Sequence, residues 1–301
     1  MVFDAAGKDD KSFNTAVWRG AQQAEEELGI FLCDVEPGDV SAIEPALRAM
    51  AETGFQIILG VGFINVPYVE AVASEYPKTA FAVLDAAANG SNVASVTFDE
   101  HHGSYLVGYA AGLKSTTGIC GLVGGMDIPL IRRFALAYEA GVKAANPSAR
   151  ALVNYAGVTP AAWSDPNRGK ELALAQYAQG ADVIFAAAGA TGLGVFDAAE
   201  ETGKLVIGCD SNQNYLKPGL VLTSMLKRLD VATFELIRRT LTGKFEAGNM
   251  SFGLGNGGMD VAIDNYNRNL LTEAQWQQVL QVKQQIIDGD IAVPDYYDTL
   301  R

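Results

Sequence analysis

Short apolar runs alternate along most of the chain with longer segments whose apolar positions recur at helical spacing. This alternation is typical of βαβ units built around a parallel sheet. The apolar runs that predict strands before the last third of the chain are residues 1–4, 29–33, 56–59, 79–84, 95–98, 118–123, 151–155, 183–187 and 205–209. Because the cycle restarts after Lys114, the pattern predicts an α/β protein with two similar doubly wound parallel-sheet lobes.

Helical spacing between these runs predicts helices at residues 15–28, 40–52, 131–145 and 169–179. In the last third of the chain the regular alternation of strand and helix patterns ends. The pattern there predicts strands over 221–227 and 259–263 and helices over 231–241 and 273–287. No low-complexity linker separates the lobes, so we expect a hinge of several short strands rather than one flexible tether. The predicted N-terminal lobe comprises residues 1–115 plus about 228–248, and the predicted C-terminal lobe comprises 116–227 plus about 249–301.

The composition of the 301 residues excludes several classes of protein. With 49% hydrophobic and 19% charged residues, the chain can bury a sizeable core and is not disordered. Its 22 basic and 35 acidic side chains leave a net charge of −13, which argues against binding to nucleic acid or to a membrane surface. No apolar run is long enough to span a bilayer. The chain carries no signal peptide and opens within a predicted strand, so we expect that a leader was removed or is missing from it.

Cysteine and histidine offer no clear catalytic or metal site. Cys33, Cys120 and Cys209 are odd in number and scattered, which argues against a disulfide framework or a zinc site and favours buried thiols. His101 and His102 are adjacent, so they point to different faces of a helix, and no Cys or carboxylate cluster matches them as a metal site. No GxSxG motif accompanies them, so a hydrolase triad is not indicated.

Ligands of open parallel sheets bind beyond the carboxyl ends of the strands, where helix N-termini converge. The residues after the predicted strands are rich in aromatics, carboxylates and glycines, which suits a neutral, hydroxylated, ring-bearing ligand better than a polyphosphate. Spacing alone favours Ser12 as a helix cap with Phe13 packed in the core. The functional alternative places Phe13 against a flat ring, with Asn14 at the edge of that ring.

Two further features at strand ends suggest ligand binding. Asp210 and Lys227 end apolar runs, and a carboxylate can accept both hydroxyls of a vicinal diol while an ammonium donates to an oxygen. Residues 189–194 follow a strand and open a helix, as in a dinucleotide-binding loop, but their order is GxxGxG rather than GxGxxG. An NAD(P)-linked oxidoreductase is therefore the weaker alternative, because no Tyr-x-x-x-Lys or His/Asp pair is available for hydride chemistry.

Six segments, in register across more than two thirds of the chain, carry a family resemblance. They are DKSFN at 10–14, GSYLVG at 103–108, GADVIF at 180–185, AGATG at 188–192, IGCDSNQ at 207–213 and SMLKR at 224–228. The chain resembles the basic membrane protein family of ABC-transporter substrate-binding proteins, which includes the PnrA-like purine nucleoside receptors. The resemblance implies a type I periplasmic-binding-protein fold with two lobes, joined by a multi-strand hinge, that close over a purine nucleoside.

The resemblance also implies a set of ligand contacts, in which aromatics sandwich the base while carboxylates and an Asn contact its edge and the ribose. The matching positions are Asp4, Phe13, Asn14, Asp85, Trp163, Phe185, Gly189, Asp210 and Lys227. Phe13 resembles one stacking ring, and Phe185 or, as a second candidate, Trp163 resembles the opposing ring. Asp210 and Lys227 match the ribose-binding positions. Asn14 and Asp85 resemble the residues that read the base, Asp4 resembles another polar contact from the first strand, and Gly189 resembles a residue that gives backbone contacts.

The function implied is that of a solute-binding protein, not an enzyme, which carries a purine nucleoside to the membrane permease of an ABC importer. Such a protein is expected in the periplasm or on the outer face of the cytoplasmic membrane, as a monomer that needs no cofactor or metal and binds no nucleic acid. A free purine base, or another small ring-bearing solute on the same scaffold, is the main alternative ligand.

Overall fold

The computed structural model describes residues 1–4 and 7–300. Ala5, Ala6 and Arg301, which the predicted lobe ranges include, lie outside the described residues. The chain forms two compact units. Unit 1 is Met1–Phe98 with Arg228–Phe252, and unit 2 is Asp99–Lys227 with Gly253–Arg301. The chain therefore passes from one unit to the other three times, after Phe98, Lys227 and Phe252.

The helices and strands alternate through most of the chain, as the hydrophobic pattern predicts. The helices are α1 (Phe13–Leu28), α2 (Ile43–Thr53), α3 (Val66–Glu75), α4 (Glu100–Lys114), α5 (Pro129–Ala145), α6 (Pro166–Ala178), α7 (Gly192–Thr202), α8 (Leu229–Leu241) and α9 (Glu273–Ile287). The strands are β1 (Ile57–Val61), β2 (Ala80–Leu84), β3 (Val93–Phe98), β4 (Ile119–Met126), β5 (Arg150–Gly157), β6 (Val183–Ala187), β7 (Leu205–Asp210), β8 (Val221–Lys227), β9 (Gly248–Phe252) and β10 (Met259–Val261). The predicted α/β class is confirmed.

Unit 1 is built on a parallel sheet of order β1-β2-β3-β9. The strand predicted at residues 1–4 is reduced to isolated parallel bridges from Val2 to Val35 and Gly60, and the described residues 29–33 form no strand. Conversely, β9 was not predicted, because its residues are mostly exposed and lack an apolar run. Pairing with β3 makes this segment a strand, and that pairing is tertiary information.

Unit 2 is built on a larger sheet of order β10-β8-β7-β6-β4-β5, parallel except for the pairing of β10 with β8. Residues 99–115 belong to this unit, whereas the sequence pattern had assigned them to the N-terminal lobe. The reason is the packing of α4 on α5. A Cβ at Gly108 would lie 2.2 Å from the Tyr138 carbonyl oxygen, and one at Gly141 would lie 2.1 Å from the Tyr105 carbonyl oxygen. Glycines therefore let the two helix backbones approach closely.

The cysteines behave largely as buried thiols. Cys120 and Cys209 are buried, Cys33 is half-buried, and each is a free cysteine. Burial raises the pKa of the Cys120 thiol to about 12, so this thiol stays protonated at neutral pH. Within the described part of the chain, no group of three or more His, Cys, Asp or Glu side chains is arranged to hold a metal ion. None of the described helices combines the length and apolar character that a membrane crossing requires.

Asp182 fixes the turn that follows α4. Its carboxylate accepts hydrogen bonds from the Ser115 hydroxyl (2.6 Å), from the Thr116 hydroxyl and amide (3.0 and 2.7 Å) and from the Thr117 amide (3.1 Å). Burial raises the pKa of this carboxyl, but the hydrogen bonds outweigh burial and hold the pKa below its usual value of 3.8. The ionised carboxylate is therefore a stabilising part of the fold.

Asp182→Asn is expected to lower the free energy of unfolding by about 1–3 kcal/mol at pH 7, because a buried charged acceptor of several donors is lost. The folded-state pKa is depressed, so the wild-type advantage is fully present above the unfolded-state pKa and disappears as pH falls through the folded-state pKa. Urea unfolding of both proteins at pH 7 and at pH 3 measures this difference. An equal difference at the two pH values would contradict the proposed role of the charge.

Candidate functional site

The N-terminus of α1 is capped by Asp10 rather than by the predicted Ser12. The buried Asp10 carboxylate accepts hydrogen bonds from the backbone amides of Ser12, Asn14 and Thr15, at 2.8 to 3.0 Å. The Ser12 side chain makes no cap hydrogen bond. This carboxylate satisfies amides that would otherwise lack partners at the start of the helix. Phe13, the first residue of α1, lies at the carboxyl edge of the unit 1 sheet, where its Cε1 would be 3.7 Å from a Cβ at Gly62.

Four of the predicted contact residues lie in unit 1, and we call Asp4, Phe13, Asn14 and Asp85 the Asp4 cluster. Gly62, just after β1, is adjacent to two of them, since a Cβ there would lie 3.5 Å from Asp4 Oδ2 and 3.7 Å from Phe13 Cε1. The Gly62 amide also donates to the carbonyl that precedes Asp85 (3.0 Å). The structure therefore brings these residues to one edge of the sheet.

Asn14 orients Asp4 within this cluster. The Asn14 side chain is buried, and its Nδ2 donates to Asp4 Oδ1 (2.7 Å) and to the Gly7 carbonyl oxygen (3.0 Å). Because both amide protons are engaged, only Oδ1, which has no hydrogen-bond partner among the described residues, remains to accept a further bond. The structure thus gives Asn14 a supporting contact with Asp4 that sequence analysis did not anticipate.

Asp85 and Asp210 share an unusual backbone conformation. Asp85 directly follows β2 and has a φ of 76°, and Asp210 ends β7 with a φ of 65°. Left-handed backbone is uncommon outside glycine, although Asp and Asn tolerate it best. Such strain tends to collect at functional sites. Two carboxylates held this way at strand ends, one in each unit, are consistent with a role in binding.

The other predicted contacts lie in unit 2, and we call Trp163, Gly189, Asp210 and Lys227 the Trp163 cluster. Trp163 ends a 3₁₀ turn at residues 160–163 after β5 and is half-buried. Its ring lies over Gly125 in β4, where a Cβ would be 2.2 Å from Trp163 Cζ3. A Cβ at Gly189 would lie 3.7 Å from Trp163 Cε3. Gly125 therefore makes room for the indole ring, whereas a Cβ at Gly189 would be in ordinary van der Waals contact with that ring.

Phe185, the favoured candidate for the opposing ring, is a core residue instead. It lies in the middle of β6 and is fully buried. Its ring packs against the rings of Phe134 and Tyr138 on α5, at centroid distances of 6.3 and 5.5 Å. The Phe185 ring is therefore used in aromatic packing between β6 and α5 within the core of unit 2. The correction leaves Trp163 as the aromatic ring of unit 2 among the predicted contacts.

Asp210 and Lys227 end neighbouring parallel strands. Asp210 pairs in register with Leu226, the residue before Lys227, so both side chains lie at the carboxyl edge of the unit 2 sheet. Lys227 is 1% exposed, and its ammonium lies 3.1 Å from Glu100 Oε1. Burial of a charge is costly unless it is paired, so this contact stabilises the charged form of the lysine.

Glu100 belongs to a buried network that sequence analysis missed. Arg133 donates to Glu100 Oε2, and it also binds Asp295 by two hydrogen bonds of 2.9 and 2.8 Å. Although burial lowers the pKa of Arg133, Glu100 and Asp295 outweigh it and raise that pKa. His101 lies beside this network, where burial, reinforced by the charge of Arg133, lowers its pKa to about 3. A glutamate in the first turn of a helix resembles an ordinary surface residue, so no sequence signal marked it.

Helix packing explains Gly194, the last glycine of the loop at residues 189–194. A Cβ at Gly194 would lie 1.8 Å from the Pro166 carbonyl oxygen, and one at Gly169 would lie 2.1 Å from the Thr191 carbonyl oxygen. These glycines allow α6 and α7 to come into close contact. One of the three glycines of the loop at residues 189–194 therefore serves helix packing, which weakens the support for a dinucleotide-binding loop.

Residues 1–296 match the family model described as ABC transporter substrate-binding protein, PnrA-like. A CD4+ T-cell-stimulating antigen of Listeria innocua is 35% identical, over 98% of this chain and 87% of that protein. The ABC transporter nucleoside-binding protein BmpA of Lactococcus lactis is 32% identical, over 98% of this chain and 88% of that protein. A solute-binding protein structure from Aeropyrum pernix K1 has a TM-score of 0.88 at 30% identity, covering 97% of this chain and 92% of that chain.

The solved structure establishes the fold as that of the type I periplasmic-binding-protein-like solute-binding proteins, as the resemblance implied. The family match extends over almost the whole chain, and its relatives include proteins named basic membrane protein. The resemblance found in the sequence is thereby confirmed. The chain belongs to the PnrA-like family of ABC transporter substrate-binding proteins, also known as the basic membrane protein family.

Proposed function

We propose that this protein binds a purine nucleoside for an ABC importer and catalyses no reaction. The observation that carries the proposal is the Trp163 cluster, in which an aromatic ring, the Asp210 carboxylate and the Lys227 ammonium belong to residues at the carboxyl edge of one sheet. An aromatic ring suits a base, and a carboxylate beside an ammonium suits a ribose diol. The relative from Lactococcus lactis, named as nucleoside-binding, supports the same ligand class.

The Asp4 cluster supports recognition of the base edge. Asp4 and Asp85 are acceptors when ionised, and Asn14 has only its Oδ1 left to accept a bond. Acceptors of this kind match the N–H donors of a purine, such as the N1–H of guanine or hypoxanthine and the 6-amino group of adenine. Phe13 supplies an apolar ring beside them. We therefore propose that the base contacts the Asp4 cluster and that the ribose contacts Asp210 and Lys227.

The family supports a proposal for the cellular setting. A substrate-binding protein of an ABC transporter delivers its ligand to a membrane permease, and we propose that this chain does so as a monomer. Its place of action is then the periplasm or the outer face of the cytoplasmic membrane. A net charge of −13 also fits a partner other than nucleic acid.

A ligand panel tests the proposed function. Adenosine, guanosine, inosine, cytidine, uridine, hypoxanthine, ribose and NAD are each added to the protein in a thermal-unfolding assay. A purine nucleoside at about 100 times its Kd is expected to stabilise the protein by about 2.7 kcal/mol, which raises Tm by about 5–10 °C. An equal rise with hypoxanthine and inosine would favour a free-base binder. A rise with NAD alone, or none with any nucleoside, would overturn the proposal.

Trp163→Ala is expected to weaken purine nucleoside binding by about 1–3 kcal/mol, roughly 5- to 150-fold, because the stacking surface is lost. Trp163→Phe, which keeps an aromatic ring, is expected to retain most of the affinity. Isothermal titration calorimetry of both variants measures the two Kd values. Wild-type affinity in the alanine variant would show that this ring does not contact the base.

A further inference from the structure

We infer that Glu100 is a positioning residue for ligand binding, which holds the Lys227 ammonium where it donates to the ribose. The inference rests on the proposed function, because it assigns Glu100 a role through a residue of the proposed ribose site. Glu100 was not among the expected contact residues. It would act on the ligand only through Lys227.

The contact between the two side chains is direct and buried. Lys227 Nζ lies 3.1 Å from Glu100 Oε1, and the side chains are 1% and 3% exposed. A lysine side chain has four rotatable bonds, so an ammonium at its end is poorly located unless a partner fixes it. A buried carboxylate at hydrogen-bond distance fixes both the position of the ammonium and its charge.

Glu100 is itself held in place from the opposite side. Arg133 donates to Oε2, the oxygen that does not face Lys227, and Asp295 binds Arg133 through two hydrogen bonds. Lys227, Glu100, Arg133 and Asp295 therefore form a chain of ion pairs in which positive and negative side chains alternate. Because each oxygen of Glu100 has a cationic partner, the carboxylate has one favoured orientation. The face of the Phe134 ring is also near the ammonium, with Lys227 Nζ 6.0 Å from the ring centroid.

A double-mutant cycle tests the inference. Glu100→Gln, Lys227→Met and the double variant are titrated with adenosine, guanosine and inosine by isothermal calorimetry. Glu100→Gln is expected to weaken binding about tenfold in the wild-type background and by less than twofold in the Lys227→Met background. Glu100→Asp, which keeps the charge, is expected to recover part of the loss. An equal loss in both backgrounds would show a merely structural role and overturn the inference.

The control is Glu139→Gln on α5, which removes an exposed partner of Lys143 and is expected to leave every Kd unchanged. Thermal unfolding checks that each variant is folded. If Glu100→Gln fails to fold, Asp295→Asn releases Arg133 from a 20%-exposed partner and is expected to weaken binding two- to fivefold, again only when Lys227 is present. Unchanged binding in that variant as well would overturn the inference.

The cycle separates two kinds of failure. If the wild-type protein binds none of the three nucleosides, the proposed function fails and the inference fails with it. If the wild type binds but Glu100→Gln binds equally well, only the inference fails. If Lys227→Met binds as the wild type does, the proposed ribose role of Lys227 is wrong, and Glu100 has no ligand contact to position.

Discussion

Asp210→Asn is expected to weaken purine nucleoside binding about 100-fold. Asparagine tolerates the left-handed backbone that Asp210 adopts, with a φ of 65°, so the substitution changes charge with little strain. The neutral amide would lose the proposed charge-assisted hydrogen bonds to the two ribose hydroxyls, each worth about 1.5–3 kcal/mol. A loss of about 3 kcal/mol corresponds to about 100-fold in Kd, and isothermal titration calorimetry measures it.

The matched control is Asp197→Asn, which makes the same change at an exposed partner of Lys217 in the same unit and is expected to leave Kd unchanged. A 2′,3′-dideoxynucleoside provides a second check, because it lacks both hydroxyls. The wild type is expected to bind it weakly, and Asp210→Asn is expected to discriminate little between it and the parent nucleoside. Full discrimination by the variant would mean that another group holds the diol.

Phe185→Ala is expected to lower the free energy of unfolding by about 3–5 kcal/mol while the folded protein keeps wild-type affinity for nucleoside. The reason is that the Phe185 ring is fully buried against Phe134 and Tyr138, so truncation leaves a cavity in the core of unit 2. Urea unfolding measures the stability change. Calorimetry at low temperature, where the variant is folded, measures Kd.

Trp163→Ala serves as the opposite case, because it is expected to reduce affinity much more than stability. The two variants together distinguish the two aromatic candidates for the unit 2 ring. A Phe185→Ala protein that is fully stable but binds nucleoside weakly would contradict the burial of this ring and restore Phe185 as a ligand contact.

Much of the fold was predictable from hydrophobic spacing. β6 and β7 are continuous apolar runs because parallel strands are covered on both faces, and α9 begins and ends where its pattern does. The errors occur where pairing or packing overrides the local pattern. β9 is a strand only because it pairs with β3, and α4 joins unit 2 because glycines let it approach α5.

The candidate site was predictable to a similar degree. The family resemblance selected Asp4, Asp85 and Asp210, and each stands at or directly after the end of a predicted strand. The parallel strands of one sheet present their carboxyl ends at the same edge. The choice between aromatic rings was not predictable in this way. Phe185 lies within its strand and faces α5, whereas Trp163 lies in the turn after a strand. Which of two rings is enclosed depends on helices distant in sequence.

The sequence by itself determined the fold class, the family and the strand ends at which the proposed binding residues lie. These depend on local periodicity and on motifs, both of which are present in the linear order of residues. Only the tertiary structure decided that Asn14 orients Asp4, that Phe185 is enclosed and that Glu100 holds Lys227. These contacts join residues far apart in the chain or on different elements. Their energies depend on burial and direction, which no spacing of residues encodes.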